Sequence, residues 1–286
     1  MDRYLDTKIA SILGIFGNIL LLIIKAIIGF ITKSQAMIAD ATNSAGDIFS
    51  SLFTYIGNRI ASKPSDADHN LGHGKAEYIF SMIISIIIMF AGLSILKSSF
   101  VTLIKQEKFT FSVWLIIVCI TTILVKFSLF IYTNALYKKN KNILIKANSI
   151  DHRNDCILTT CNLISCILSL FNIYLFDSIV GIGISVWMVI SAIKVFVESF
   201  DVLMDTSIST EKKDMVLDIV KNFKEIKKVE HFNSTPVGYK YQISLTIYVD
   251  GNLSTFESHN IADKLEKELV NKIDDIYLAV IHVNPI

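Results

Sequence analysis

YIFSMIISIIIMFAGLSIL, residues 78–96, runs for nineteen residues without one charged side chain. A helix needs about 20 mainly apolar residues to cross the hydrocarbon core of a bilayer, so this stretch reads as a transmembrane span. Blocks of similar character lie on both sides of it. Ile9 to Thr32 is broken only by Lys25, Phe109 to Tyr137 only by Lys126, and Ser178 to Phe196 only by Lys194. Gln35 to Ile60 and Asn142 to Leu175 have the length of spans but contain Asp40, Asp47, Asp151 and Asp155. The expected architecture is therefore an α-helical membrane domain, residues 1–205, with six transmembrane helices at about 9–32, 35–60, 76–103, 110–137, 142–172 and 178–203. The first block is too long for a signal peptide, and no small-residue cleavage site follows it, so it is expected to be retained. Cys119, Cys156, Cys161 and Cys166 all fall inside spans, where thiols serve as small apolar packing groups.

Six spans place alternate connections on the same side of the membrane. Arg3, Lys8, Arg59, Lys63, Lys75, Lys138, Lys139, Lys141 and Lys146 collect on one side, against Lys33, Lys105 and Lys108 on the other. Cationic connections stay cytoplasmic, so both termini are expected in the cytoplasm, with the chain in the cell membrane. After Asp205 the pattern becomes that of a soluble domain, residues 206–286. A capped helix at about 210–224, strands near 229–234 and 239–249, a helix at 255–272 and a strand at 276–283 make a small α+β unit of order αββαβ. A core of that size with an open sheet edge favours self-association, hence a homodimer. The net charge of +1 among 286 residues projects no field suited to nucleic acid. No nucleotide-binding glycine loop, aspartyl-phosphate motif or nucleophile set occurs, which points away from an enzyme and from ATP as the energy source.

An ionised side chain at the bilayer centre is expensive, so intramembrane acids are functional candidates. Asn43 and Asp47 are four residues apart, on one helix face, with Asp40 one turn earlier. Asp151 and Asp155 repeat the spacing, and two such helices facing each other bring four oxygen-bearing side chains to one point. Carboxylates plus an amide carbonyl are hard ligands suited to Mn2+, Mg2+ or Ca2+, whereas zinc more readily recruits histidine or cysteine. When the ion leaves, the acids need a counter-charge, which protons would supply. The competing reading has the acids pairing with cations, Asp151 with Arg153 or with an intramembrane lysine, purely to hold helices together. Asp40 is read equally as a ligand or as an entrance residue. Lys25, Lys97, Lys126 and Lys194 are expected to snorkel to the membrane interfaces.

Three segments carry a family resemblance: Ser34 to Asp47 (SQAMIADATNSAGD), His73 to Glu77 (HGKAE) and Asp151 to Asp155 (DHRND). With them the chain resembles the cation diffusion facilitators, metal/proton antiporters, along nearly its whole length. The resemblance implies a transport site at Asn43, Asp47, Asp151 and Asp155, a metallochaperone-like cytoplasmic domain, and export of the ion from the cytoplasm. Zinc-transporting members carry a histidine at one ligand position, most often where this chain has Asp151, so the set resembles the manganese branch. His152 is about 100° around the helix from Asp151 and is read as outside the site. The resemblance also implies a peripheral metal site at Asp66, His69 and His73, for which a solvated turn is an equal alternative. It implies a cytoplasmic zinc site at His231, His259 and His282 that looks incomplete, with Ser244 and Asn284 in place of two partners, and an ion pair, Lys75 with Asp205, at a dimer interface. The expected function is Mn2+ efflux in exchange for protons, without a cofactor. The alternatives are efflux of Zn2+, Fe2+ or Co2+ by the same fold, or a membrane metal sensor that transports nothing.

Overall fold

A computed structural model describes residues 3–32, 35–105, 113–171 and 175–286, with the side chains of 32, 35–40, 42, 43, 169, 175 and 177 outside the description. The chain divides into two compact units: Met1–Ser62 with Ala76–Phe200, and Lys63–Lys75 with Asp201–Ile286.

The first unit is built from α1 (Arg3–Thr32), α2 (Gln35–Ala61), α3 (Ala76–Lys105), α4 (Val113–Asn140), α5 (Ile143–Leu168) and α6 (Leu175–Leu203). All six expected helices form, but the expectation of six spans by composition needs correction. Among the described residues four helices, α1, α3, α4 and α6, are both long and apolar enough to cross a membrane. The other two carry the polar residues. α2 buries Ser44, Asp47, Ser50, Ser51, Thr54 and Asn58, and α5 buries Asn148, Asp151, His152, Asn154 and Asp155. Such side chains survive in a membrane protein only where other helices cover them. α2 packs against α1, α3 and α5, and α5 against α4, α3 and α2. The four apolar helices present Phe16, Phe90, Leu124 and Phe200 outward, the surface a lipid phase would wet.

Ile84 and Ile88 of α3, Leu144 and Ala147 of α5, and Met188, Ala192 and Val195 of α6 form one apolar cluster. With lipid as apolar as leucine, packing rather than water exclusion must hold such helices together, and close approach at small residues helps. A Cβ at Gly57 of α2 would sit 2.7 Å from the Cβ of Phe80 of α3, so only glycine fits at that crossing. At one end of the unit Asp6, Asn142 and Glu77 are buried and hydrogen-bonded: Lys139 and Asn140 each donate to Asp6 Oδ2 at 3.0 Å, and Asn142 donates to Thr7 and Glu77.

The second unit contains α7 (Thr210–Lys221), β1 (Lys228–Val237), β2 (Lys240–Val249), α8 (Thr255–Lys272) and β3 (Ile276–Pro285), the expected αββαβ order. The strands lie in the order β1-β2-β3, antiparallel across the first pair and parallel across the second. The alternation Ile243, Leu245, Ile247, Val249 puts four apolar side chains on one face of β2, where Val216 and Val220 of α7 and Leu265 and Leu269 of α8 cover them. Ser254 opens α8 with a capping box, its hydroxyl accepting the Glu257 N–H while the Glu257 carboxylate accepts the Ser254 N–H. Gly238 adopts φ 61° in the two-residue connection between β1 and β2. The ladder slips between Glu230 and Asn233, where His231 takes φ 50°, so the bulge turns this histidine out of the strand pattern.

Candidate metal site

Asp47 on α2 and Asp151 and Asp155 on α5 are 8%, 7% and 9% exposed. Helical spacing of four residues aligns the two α5 carboxylates, and α2 brings Asp47 to the same level. Asn18 of α1 donates to the backbone carbonyl of Asp47 at 3.0 Å and to the Ser51 hydroxyl at 3.3 Å, which fixes α1 against α2 there. Asp40 and Asn43 lie on α2, Asn43 one turn before Asp47, but their side chains fall outside the described residues.

Between the acids stands a residue that the sequence reading placed elsewhere. Lys126 of α4 is 1% exposed, and its ammonium donates to Asp47 Oδ2 at 2.8 Å and to Asp155 Oδ2. It does not snorkel, and the reason is distance: it lies midway along the 28-residue α4, about 20 Å of helix from either end, beyond the reach of a four-carbon stem. That central position was the available signal. Lys25 of α1 is also buried, donating to Ser44 Oγ at 3.0 Å, whereas Lys97 and Lys194 are exposed. Asp47, Lys126 and Asp155 share the wall of a cavity of about 370 Å³ with Lys25, Thr122 and Asn162.

Among the described residues, Asp151 Oδ2 is buried without a hydrogen-bond partner, and so are both ring nitrogens of His152. One ring nitrogen of His152 lies within 4.8 Å of carboxylate oxygens of Asp151 and Asp155. The 100° of rotation that set His152 apart applies to its Cα, and the imidazole is long enough to bridge the difference. Arg153, offered as a partner for Asp151, turns to α6 instead, its guanidinium 4.1 Å from the centroid of the Trp187 ring.

In the second unit Asp66, His69 and His73 come together, with His69 Nδ1 and His73 Nε2 at 3.3 and 3.4 Å from the Asp66 carboxylate. The Asp66 carboxylate also closes the turn, accepting the N–H groups of His69 at 2.7 Å and Asp68 at 3.1 Å. Those amide donors, that of His69 foremost, hold the Asp66 carboxyl below the usual aspartate range. Lys75 and Asp205 pair at 2.7 Å. His231, His259 and His282 are exposed, and among the described residues they belong to no group of three potential metal ligands; His259 Nδ1 instead lies 3.4 Å from Asp263.

Buried carboxylates that already hold a cation, in a cavity within an apolar helical bundle, make a site that can take up and release positive ions. Comparison with known proteins agrees. Residues 11–204 match the cation efflux transmembrane domain, and residues 208–286 match the cytoplasmic domain of cation efflux proteins, a dimerising unit. The chain is 24% identical over 291 residues to the manganese efflux system protein MneP of Bacillus subtilis, covering 99% of this chain and 98% of that one. It is 25% identical to the magnetosome protein MamB of Magnetospira sp., over 92% of this chain and 89% of that one. It is 24% identical to the cation-efflux pump FieF of Cronobacter sakazakii, over 93% and 88%. The chain is a multi-pass membrane protein of the cation efflux family, the cation diffusion facilitators, and a transporter rather than an enzyme.

Proposed function

We propose that this cation efflux transporter carries Mn2+ out of the cytoplasm in exchange for protons, across the cell membrane, with both termini cytoplasmic, as a homodimer. Asn43, Asp47, Asp151 and Asp155 are its transport ligands. The carrying observation is that carboxylates from two helices, Asp47 and Asp155, converge on a single cation, the Lys126 ammonium. Their oxygens form the hard donor set that Mn2+ prefers. Protonation of the acids not neutralised by Lys126 supplies the counter-charge once the ion has left. Manganese efflux in MneP, similar over nearly its full length, favours the same ion.

His152 favours a second reading. Its two buried ring nitrogens, which have no partner among the described residues and one of which lies within 4.8 Å of Asp151 and Asp155, add the donor type that Zn2+, Fe2+ or Co2+ recruits.

The test is flux into proteoliposomes under an imposed proton gradient, with Mn2+ and Zn2+ compared in the wild type, Asp47→Ala, Asp155→Ala and His152→Ala. The Mn2+ reading expects gradient-driven Mn2+ flux that drops by about tenfold or more in both aspartate variants and persists in His152→Ala. Zn2+ flux abolished by His152→Ala, with little Mn2+ flux in the wild type, establishes the second reading. Mn2+ flux that ignores the gradient removes protons from the cycle.

A further inference from the structure

We propose that Lys126 is a tethered counter-cation of the transport site: its ammonium occupies the place of the metal when the site is empty, the metal must displace it, and it thereby filters cargo by charge. The inference rests on Asp47 and Asp155 being transport ligands.

The oxygens it uses are the ones a metal needs. Lys126 reaches Asp47 Oδ2 at 2.8 Å and Asp155 Oδ2 on the facing helix. A divalent ion bound to those same oxygens sits about 2 Å from them. It would therefore collide with, or strongly repel, an ammonium left in place, so occupancy by lysine and by metal exclude one another. The displaced group has somewhere to go. The cavity beside it is lined by Ser94, Ser98, Thr122, Thr159 and Asn162, whose hydroxyl and amide oxygens accept hydrogen bonds from an ammonium on a flexible stem.

Two consequences follow from this competition. The empty site is never a bare cluster of negative charge, so α2 and α5 stay drawn together through α4 without metal. A monovalent ion brings no more charge than the ammonium it must evict and loses its hydration shell in addition, so Na+ and K+ gain nothing by entering. A divalent ion brings twice the charge and displaces the lysine.

The experiment measures Mn2+ binding to the full chain in detergent by calorimetry, in choline chloride and in KCl of equal ionic strength. Lys126→Gln is expected to bind Mn2+ on the order of tenfold more tightly than wild type in choline and to lose affinity severalfold in KCl, to which the wild type is indifferent. Lys126→Arg, which keeps the charge and grips both carboxylates with a fork, is expected to bind severalfold more weakly. Unchanged or weaker binding by Lys126→Gln without K+ sensitivity overturns the proposal. If that variant does not yield monodisperse protein, Lys126→Arg decides, and affinity equal to or above wild type overturns it. Asp155→Ala separates the two levels: undiminished Mn2+ binding there overturns the assignment of the site itself, whereas lost binding there with Lys126→Gln unchanged overturns only the role of the lysine.

Discussion

Arg3 and Glu77 meet in a two-pronged ion pair, Nη2 donating to Oε2 at 2.8 Å and Nη1 to Oε1, and the Glu77 side chain is 1% exposed. The pair joins the first turn of α1 to the first turn of α3. Removing one partner of a buried pair strands the other charge, at a cost of about 3–5 kcal/mol, whereas replacing both with apolar groups is nearly neutral. Glu77→Ala is therefore expected to lower the thermal midpoint clearly more than the double change Arg3→Met with Glu77→Met. Thermal unfolding in detergent, followed by circular dichroism, checks the order, and a double variant as unstable as the single one refutes it.

Lys75 and Asp205 are also paired, at 2.7 Å, but their side chains are 39% and 55% exposed. Water and salt screen such a pair, and exposed pairs contribute about 0–1 kcal/mol. Lys75→Ala is thus expected to leave the midpoint of the second unit nearly unchanged. Any larger effect should appear in subunit association, which sedimentation of wild type and variant at matched concentrations measures.

Gly74 and Gly238 touch through their backbones. A Cβ on Gly74 would lie 2.7 Å from Gly238 Cα, and Gly238 holds φ 61°, where side chains are strained. Gly238→Ala is expected to destabilise by about 1–2 kcal/mol, and Gly74→Ala by more, because its neighbour is backbone that cannot rotate aside. Denaturant midpoints of the full chain test the ranking.

Asp66 sets a pH dependence in the 63–75 segment. The His69 amide, before the other donors, lowers its carboxyl pKa, so the folded value lies below the unfolded one. A depressed carboxyl stabilises the fold above its unfolded pKa, about 3.9, and that contribution is lost only as pH falls through the lower folded value. A carboxyl titration of Asp66 by carbon NMR should have its midpoint below that of ordinary aspartates. Asp66→Asn should remove this dependence.

Local order was legible because it rests on local forces. The stretch 255–272 reads as a helix and is α8; in the structure Ser254 caps its start, and Leu265 and Leu269, one turn apart, lie on its buried face. The alternation from Ile243 to Val249 likewise announced β2. In the membrane domain the four apolar helices were as plain, because lipid selects for length and apolarity alone. α2 and α5 were legible as helices, but whether polar helices touch lipid depends on what surrounds them.

The sequence by itself determined the cation efflux architecture and which acids share a helix face: Asp151 with Asp155, one turn apart. Only the tertiary structure decided what those acids face. Lys126 is separated along the chain by 79 residues from Asp47 and by 29 from Asp155, and His152 was set aside because rotation about its own helix was the only geometry at hand. The periodicity of one helix says which side chains point together. It carries no information on which neighbouring helix supplies the opposing charge, because that depends on how α2, α4 and α5 pack.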